Sequence, residues 1–173
     1  MRVTGLDLSL TGTGVAIVDL NLGAGHPGEP INTAWTINPG KRKGYERLRW
    51  IRHGVLSACD GADIIVLEGP SYGSTGSSFH QIAGLWWIIA EAIDAVSELG
   101  GLAIAPPSSV KKYATGKGNA NKDAMMLATA RKFPEFDGDN NAADALWMAC
   151  MGMEHLGCPV VKGHSEALEG VQW

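Results

Sequence analysis

Cysteine is scarce in this chain and poorly spaced for bonding. Cys59, Cys150 and Cys158 are odd in number and form no CxxC pattern. They read as reduced thiols, which argues against a disulfide framework or a zinc site. Long apolar runs are missing too, and none approaches the ~20 residues needed to span a bilayer. The opening MRVTGLDLSL is interrupted by Asp7 and lacks the apolar region of a signal peptide. The expectation is therefore an intracellular, cytoplasmic protein with no membrane partner. Internal repeats, low-complexity tracts and any sign of a second domain are also lacking.

An excess of positive charge is absent: 14 Lys and Arg stand against 18 Asp and Glu, a net charge of −4. That sum argues against a general nucleic-acid binder, but the distribution matters more. Six cations fall in KRKGYERLRWIR (41–52) and six more between Lys111 and Lys132, whereas the acids are spread along the chain. Two basic clusters could line one surface of an acidic protein. The first cluster, taken alone, is explained equally well as a solvated helix face. What the chain does have is apolar content, 45% over 173 residues, enough for one domain with a real core.

RVTGLDLSL and GTGVAIVDL, separated by a Gly-Thr-Gly turn, predict two strands joined as a hairpin. NLGAGHPGEP (21–30) reads as an exposed loop before a third strand near 31–37. Leu48, Ile51, Val55 and Leu56 fall at helical spacing between Tyr45 and Cys59. ADIIVLE (62–68) is a short apolar run suited to a strand buried on both faces. GPSYGSTGSS reads as a flexible loop. Residues 79–98 predict a long helix whose centre, LWWIIA, is apolar all round; the sheet covers one face, and a partner subunit is expected over the other. GLAIAP (101–106) predicts a buried strand ended by Pro106-Pro107. Helices are predicted over 121–133 and 141–156, and a loosely held tail from about Gly157. The layout is α/β, with a mixed five-stranded sheet and helices on its faces. The domain is expected over 1–156 and the tail over 157–173.

Asp7 lies inside an otherwise apolar strand, and Glu68 ends another. Buried charge is costly unless it is paired or binds a metal. Local explanations exist: Asp7 pairing with a lysine or capping the Thr11–Thr13 turn, and Glu68 marking where its strand meets water. In DGDNNAADALWM (137–148), Asn141 is the expected cap of a helix beginning at Ala142, with Asp144 in the first turn, where its charge suits the helix dipole. If the two strands are neighbours and this helix packs on them, Asp7, Glu68 and Asp144 meet. Carboxylates without a cysteine ligand favour Mg²⁺ or Mn²⁺ over zinc. Two such ions ~3.5–4 Å apart can activate water and stabilise the leaving oxygen of a phosphodiester.

GLDLSLTGTGVAIV, IIVLEGP, PPSSVKKYATGKGNANKDAM and NAADALWMA resemble, in order and approximate spacing, the four blocks of RuvC-type Holliday-junction resolvases. The similarity covers roughly residues 3–155. It implies a ribonuclease-H-like fold, a homodimer, and Mg²⁺-dependent cutting of four-way DNA junctions. Asp7, Glu68 and Asp144 match three metal-binding positions. The fourth is usually Asp or His, and here it is Asn141, which offers a carbonyl oxygen but no charge and no base. Whether Asp139 takes its place is open. Lys122 falls on the family's catalytic-region lysine, and Lys111 on another lysine near the scissile phosphate. Lys122 is thereby implied to stabilise charge on the phosphate. Lys112 and Lys117, in the same block, join Lys111, Lys122 and Tyr72 as the expected DNA-binding set. Tyr72 is included because family members place an aromatic after the acidic strand; Ser71 holds that position here, with Tyr72 adjacent.

The resemblance implies a structure-selective endonuclease on branched DNA, of a divergent, phage-like kind. The competing reading, motivated by Asn141, is a branched-DNA-binding protein that kept the fold and lost efficient chemistry. A third reading comes from DLSLTGTG, which resembles the first phosphate-binding hairpin of actin- and sugar-kinase-like ATPases. It requires a duplicated fold about twice this length, and no second copy is present.

Overall fold

Alternation of side chains along a strand lets one strand feed two cores. β1 (Arg2–Asp7) sends Val3 to one face and Leu6 to the other, and β2 (Thr13–Asp19) does the same with Val18 and Val15. The chain is described by a computed structural model covering residues 1–20, 31–70, 79–95 and 101–173. The expected loop at 21–30, residues 71–78 of the expected 69–78 loop, including Ser71 and Tyr72, and residues 96–98 of the expected 79–98 helix lie outside the described residues.

β1 and β2 form the expected antiparallel hairpin, its turn held by the Thr13 hydroxyl donating to the Ser9 carbonyl at 2.8 Å. β3 (Ile31–Ile37) pairs antiparallel with β2, while β4 (Ile64–Glu68) and β5 (Gly101–Ala105) add in parallel beyond β1. The order is β3-β2-β1-β4-β5, a mixed five-stranded sheet. α1 (Gly44–Cys59) and α2 (Phe79–Asp94) cover one face around Leu6, Val15, Ile51, Ile65, Leu85 and Ile89. α3 (Pro107–Thr115), α4 (Lys122–Lys132) and α5 (Asn140–His155) cover the other around Val3, Val66, Tyr113, Leu146 and Trp147. Helices therefore lie on both faces, as the sequence pattern requires.

α5 is the central packing element. It lies against β1 and β2 so closely that backbone meets backbone. A Cβ on Gly5 would overlap the Ala145 carbonyl oxygen and come within 2.7 Å of the Ala149 nitrogen; one on Gly14 would overlap the Asn141 carbonyl. Gly152, further along α5, would bring a Cβ to 2.6 Å from Val3. Glycine is required at these positions because any side chain would push the helix off the sheet.

Three elements differ from expectation. Pro106-Pro107 ends β5 but also opens α3, with Pro107 in the first turn, where its missing N–H is no loss. α2 carries buried Leu85, Ile89, Ala90 and Ile93, yet its two tryptophans part company. Trp86 is half-buried and donates its indole N–H to the Glu68 carbonyl at 2.8 Å, while Trp87 is 68% exposed. Residues 157–173 are not loosely held. A 3₁₀ turn at Ser165–Gly170 buries Ala167, Val171 is buried beside it, and Gln172 exchanges two backbone hydrogen bonds with Ile104 of β5. Trp173 stacks on His155 at 3.8 Å. Sequence periodicity missed this segment because its anchors are single residues rather than a repeating face.

Candidate active site

β1 and β4 run parallel as neighbours, with Leu6 opposite Leu67, so Asp7 and Glu68 leave the sheet side by side at the same end. Their carboxyl groups are hydrogen-bonded to each other, which requires one shared proton. Burial is the main cause that raises both pKa values, and the Asp144 charge raises each of them further. Asp7 also raises Glu68, while the hydrogen bond from Glu68 works to lower Asp7. Both carboxyls are held above the ordinary carboxylate range, so the pair carries a proton near neutral pH. The N–H of Trp86 on the Glu68 carbonyl fixes the end of β4 from the α2 side.

Asp144 arrives from α5. The helix begins at Asn140, and its N-cap is Asp139, whose carboxylate accepts from the Ala142 N–H at 3.0 Å. Asn141 is thus not the cap, contrary to the sequence expectation, and Asp144 is not in the first turn. The dipole explanation for its charge falls away. Burial pushes the Asp144 carboxyl up to about 6, opposed by the nearby ammonium groups of Lys111 and Lys122. A buried acid without a capping role, beside two others, is a site in want of a cation.

Asn141 instead donates its side-chain amide to the Gly12 carbonyl at 2.8 Å, tying the start of α5 to the β1–β2 turn. Its remaining amide oxygen is the only group it has to offer an ion. Asp139 is exposed and accepts the Thr36 hydroxyl at 2.6 Å in addition to its capping bond. Although burial works against its charge, the Thr36 hydroxyl, the Ala142 and Asn141 N–H groups and Lys122 hold it below the usual carboxylate range. The Thr36 and Ala142 bonds both fall on Oδ1, and Oδ2 accepts neither of them. Asp137 is exposed, beside Phe136 in a groove along the 132–137 segment.

Of the expected lysines, two converge on the acids. Lys122, exposed at the start of α4 beneath its Asn121 cap, acts on Asp7, Asp139 and Asp144. Lys111, on α3, acts on Glu68 and Asp144. Lys112 is turned toward Glu166 at 4.0 Å, and Lys117 lines a groove between α3 and α4 with Leu127 and Arg131. Thr36 and Trp86 are site-supporting residues that sequence reasoning missed. The register of β3 beside β2 could have suggested Thr36; nothing in the sequence marks the Trp86 bond.

The donor set fits a hard divalent cation, since Asp7, Glu68, Asp144 and the Asn141 carbonyl supply oxygen only. Among the described residues no three acidic, histidine or cysteine side chains stand close enough to cage an ion as placed. Asp7, Glu68 and Asp144, with the Asn141 carbonyl, are the residues that would hold such an ion, whose charge would offset the repulsion among the three acids.

No family model and no curated protein sequence matches the chain. Solved structures do. Thermus thermophilus RuvC superposes with a TM-score of 0.69 at 17% identity, covering 95% of this chain and 100% of that one. T. thermophilus RuvC in complex with Holliday junction substrate gives 0.69 at 18%, covering 95% and 99%. The fowlpox virus Holliday junction resolvase gives 0.57 at 12%, covering 90% and 99%. With its mixed five-stranded sheet and flanking helices, the chain has the ribonuclease-H-like fold of the RuvC-type Holliday junction resolvases.

Proposed function

We propose that the chain is a metal-dependent endonuclease that resolves Holliday junctions or related branched DNA by phosphodiester hydrolysis. It would act in the cytoplasm of a bacterial cell or a phage-infected host. The observation that carries this is the convergence of Asp7, Glu68 and Asp144 with Lys111 and Lys122 at one end of a sheet of this fold. Asp7, Glu68 and Asp144, with the Asn141 carbonyl, would hold Mg²⁺, or Mn²⁺ in its place. When bound, the ion supplies Lewis acidity toward the phosphate and lowers the pKa of attacking water. Cation binding would favour the fully ionised Asp7–Glu68 pair, and the proton they share would pass to solvent. Lys122 and Lys111 draw the phosphate in and stabilise the charge that grows on its oxygens. Lys112, Lys117 and Tyr72 complete the proposed DNA contacts. Two copies are proposed to pair through α2, where exposed Trp87 and Ile88 leave an apolar patch.

The deciding experiment incubates purified protein with a labelled four-way junction, with Mg²⁺ and with EDTA. Metal-dependent nicking is expected, and Asp7→Asn should abolish it while leaving junction binding intact. Full cleavage by that variant would refute the site. A mass measurement in solution tests the dimer. The second reading, a junction-binding scaffold, draws on Asn141, whose amide is committed to Gly12 where family members carry an ionisable ligand. Binding without any metal-dependent nicking would favour it.

A further inference from the structure

The twelve residues 41–52 carry six cations and one acid in a chain of net charge −4. Ile37, at the end of β3, stands opposite Thr13, and Asp7 stands opposite Gly14. The connection from β3 into α1 therefore leaves the sheet at the same end as the acids, two strand spacings or ~10 Å across. Two hydrogen bonds lie at that end of the sheet: Thr36 donates to Asp139, and Asn141 donates to Gly12. The segment is also poorly neutralised. Among the described residues its one ion pair is Arg42 with Glu46 at 3.6 Å, and Arg47 is engaged with Gln81. Lys41, Lys43, Arg49 and Arg52 project into solvent.

Charge alone would describe a solvated helix face. The aromatics set this one apart. Tyr45 is 82% exposed and Trp50 45% exposed, and the Arg42 guanidinium lies 3.7 Å over the Trp50 ring. Large aromatics left uncovered among cations are what a backbone-tracking nucleic-acid surface combines. Lys111 and Lys122 approach the acids from the opposite face of the sheet. A polyanion lying across Asp7 and Glu68 would reach both basic groups at once.

From this placement we infer that the entry to α1, Lys41 to Arg52, is a second DNA contact. It grips the sugar–phosphate backbone of a duplex arm as that arm leaves the acidic centre. The inference rests on the branched-DNA reading and extends it to a surface on the far side of the site.

The test is anisotropy with a labelled four-way junction in EDTA, over a salt series. Removing both charges in Lys41→Ala/Lys43→Ala should flatten the slope of log Kd against log salt by ~2 and weaken binding roughly sixtyfold near 0.1 M salt, following counterion release at ~0.9 per charge. Lys41→Arg/Lys43→Arg should restore the parent slope. Tyr45→Ala should weaken binding with the slope unchanged, since it removes contact and no charge. Circular dichroism checks that each variant is folded. Parent-like affinity and slope in the double alanine variant would overturn this inference and leave the proposed function standing. Absence of junction binding by the unaltered chain would overturn both.

Discussion

Replacing Asp144 by Asn should make the metal-free protein more stable. The Asp144 carboxyl is pushed from its ordinary 3.8 to about 6, chiefly by burial. In the unfolded chain it ionises near 4, so between pH 4 and 6 the unfolded state loses its proton first and stability falls. Below pH 4 the group costs nothing; above pH 6 the penalty is complete. A shift of about two units corresponds to ~3 kcal/mol, and partial solvent access reduces this to ~2 kcal/mol. Asn keeps the shape, removes the charge and relieves Asp7 and Glu68 of a repulsive neighbour. At pH 7.5 in EDTA the variant should therefore melt about 4–8 °C higher than the parent. At pH 4.5 the gain should shrink to about a third of that. Added Mg²⁺ should raise the parent's Tm by mass action and leave the variant's nearly unmoved. Thermal melts followed by circular dichroism at both pH values, with EDTA and with Mg²⁺, give all four comparisons. A variant less stable than the parent at pH 7.5 in EDTA would refute the argument. So would a gain equal at both pH values, which could not come from this charge.

Gly5→Ala should destabilise by ~3 kcal/mol or more, because the new methyl overlaps the α5 backbone; urea unfolding measures it, and a loss under 1 kcal/mol would contradict the described packing. Trp86→Phe keeps most of the packing but leaves the Glu68 carbonyl without its indole donor, costing about 1 kcal/mol. If that bond positions Glu68, cleavage should slow at saturating Mg²⁺; an unchanged rate would reduce it to a structural tie. Asn141→Asp adds a fourth acid but loses the Gly12 bond. Calorimetry should show tighter Mn²⁺ binding together with lower metal-free stability, and weaker binding would show that the Gly12 bond matters more than charge.

The strands and most helices were legible because they repeat: alternation in β1 and β2, helical spacing in α1. Asp7 and Glu68 stood out as charges in apolar runs, a signal that survives without structure. Asp144 did not, since a carboxylate near a helix start has an ordinary local explanation, and only the position of the true cap at Asp139 removes it. The misplaced cap came from reading Asn141 by residue preference when Asp139, two positions earlier, has the same preference and the better geometry. Thr36 and Trp86 act through bonds to residues 103 and 18 positions away, and such pairings are set by register and rotamer. The packed segment after Gly157 is similar: Ala167 and Gln172 matter because of what β5 and α3 present to them.

The close seating of α5 on Gly5 and Gly14 also affects how robust the site is. Main-chain atoms in contact have no rotamers to change, so the separation between the acid on β1 and the acid on α5 is held at a hard stop. Substitutions elsewhere in the core would alter how long the fold survives without retuning that separation. Core variants of this protein should then lose activity only as they unfold, and the fraction still folded should turn over at the parental rate.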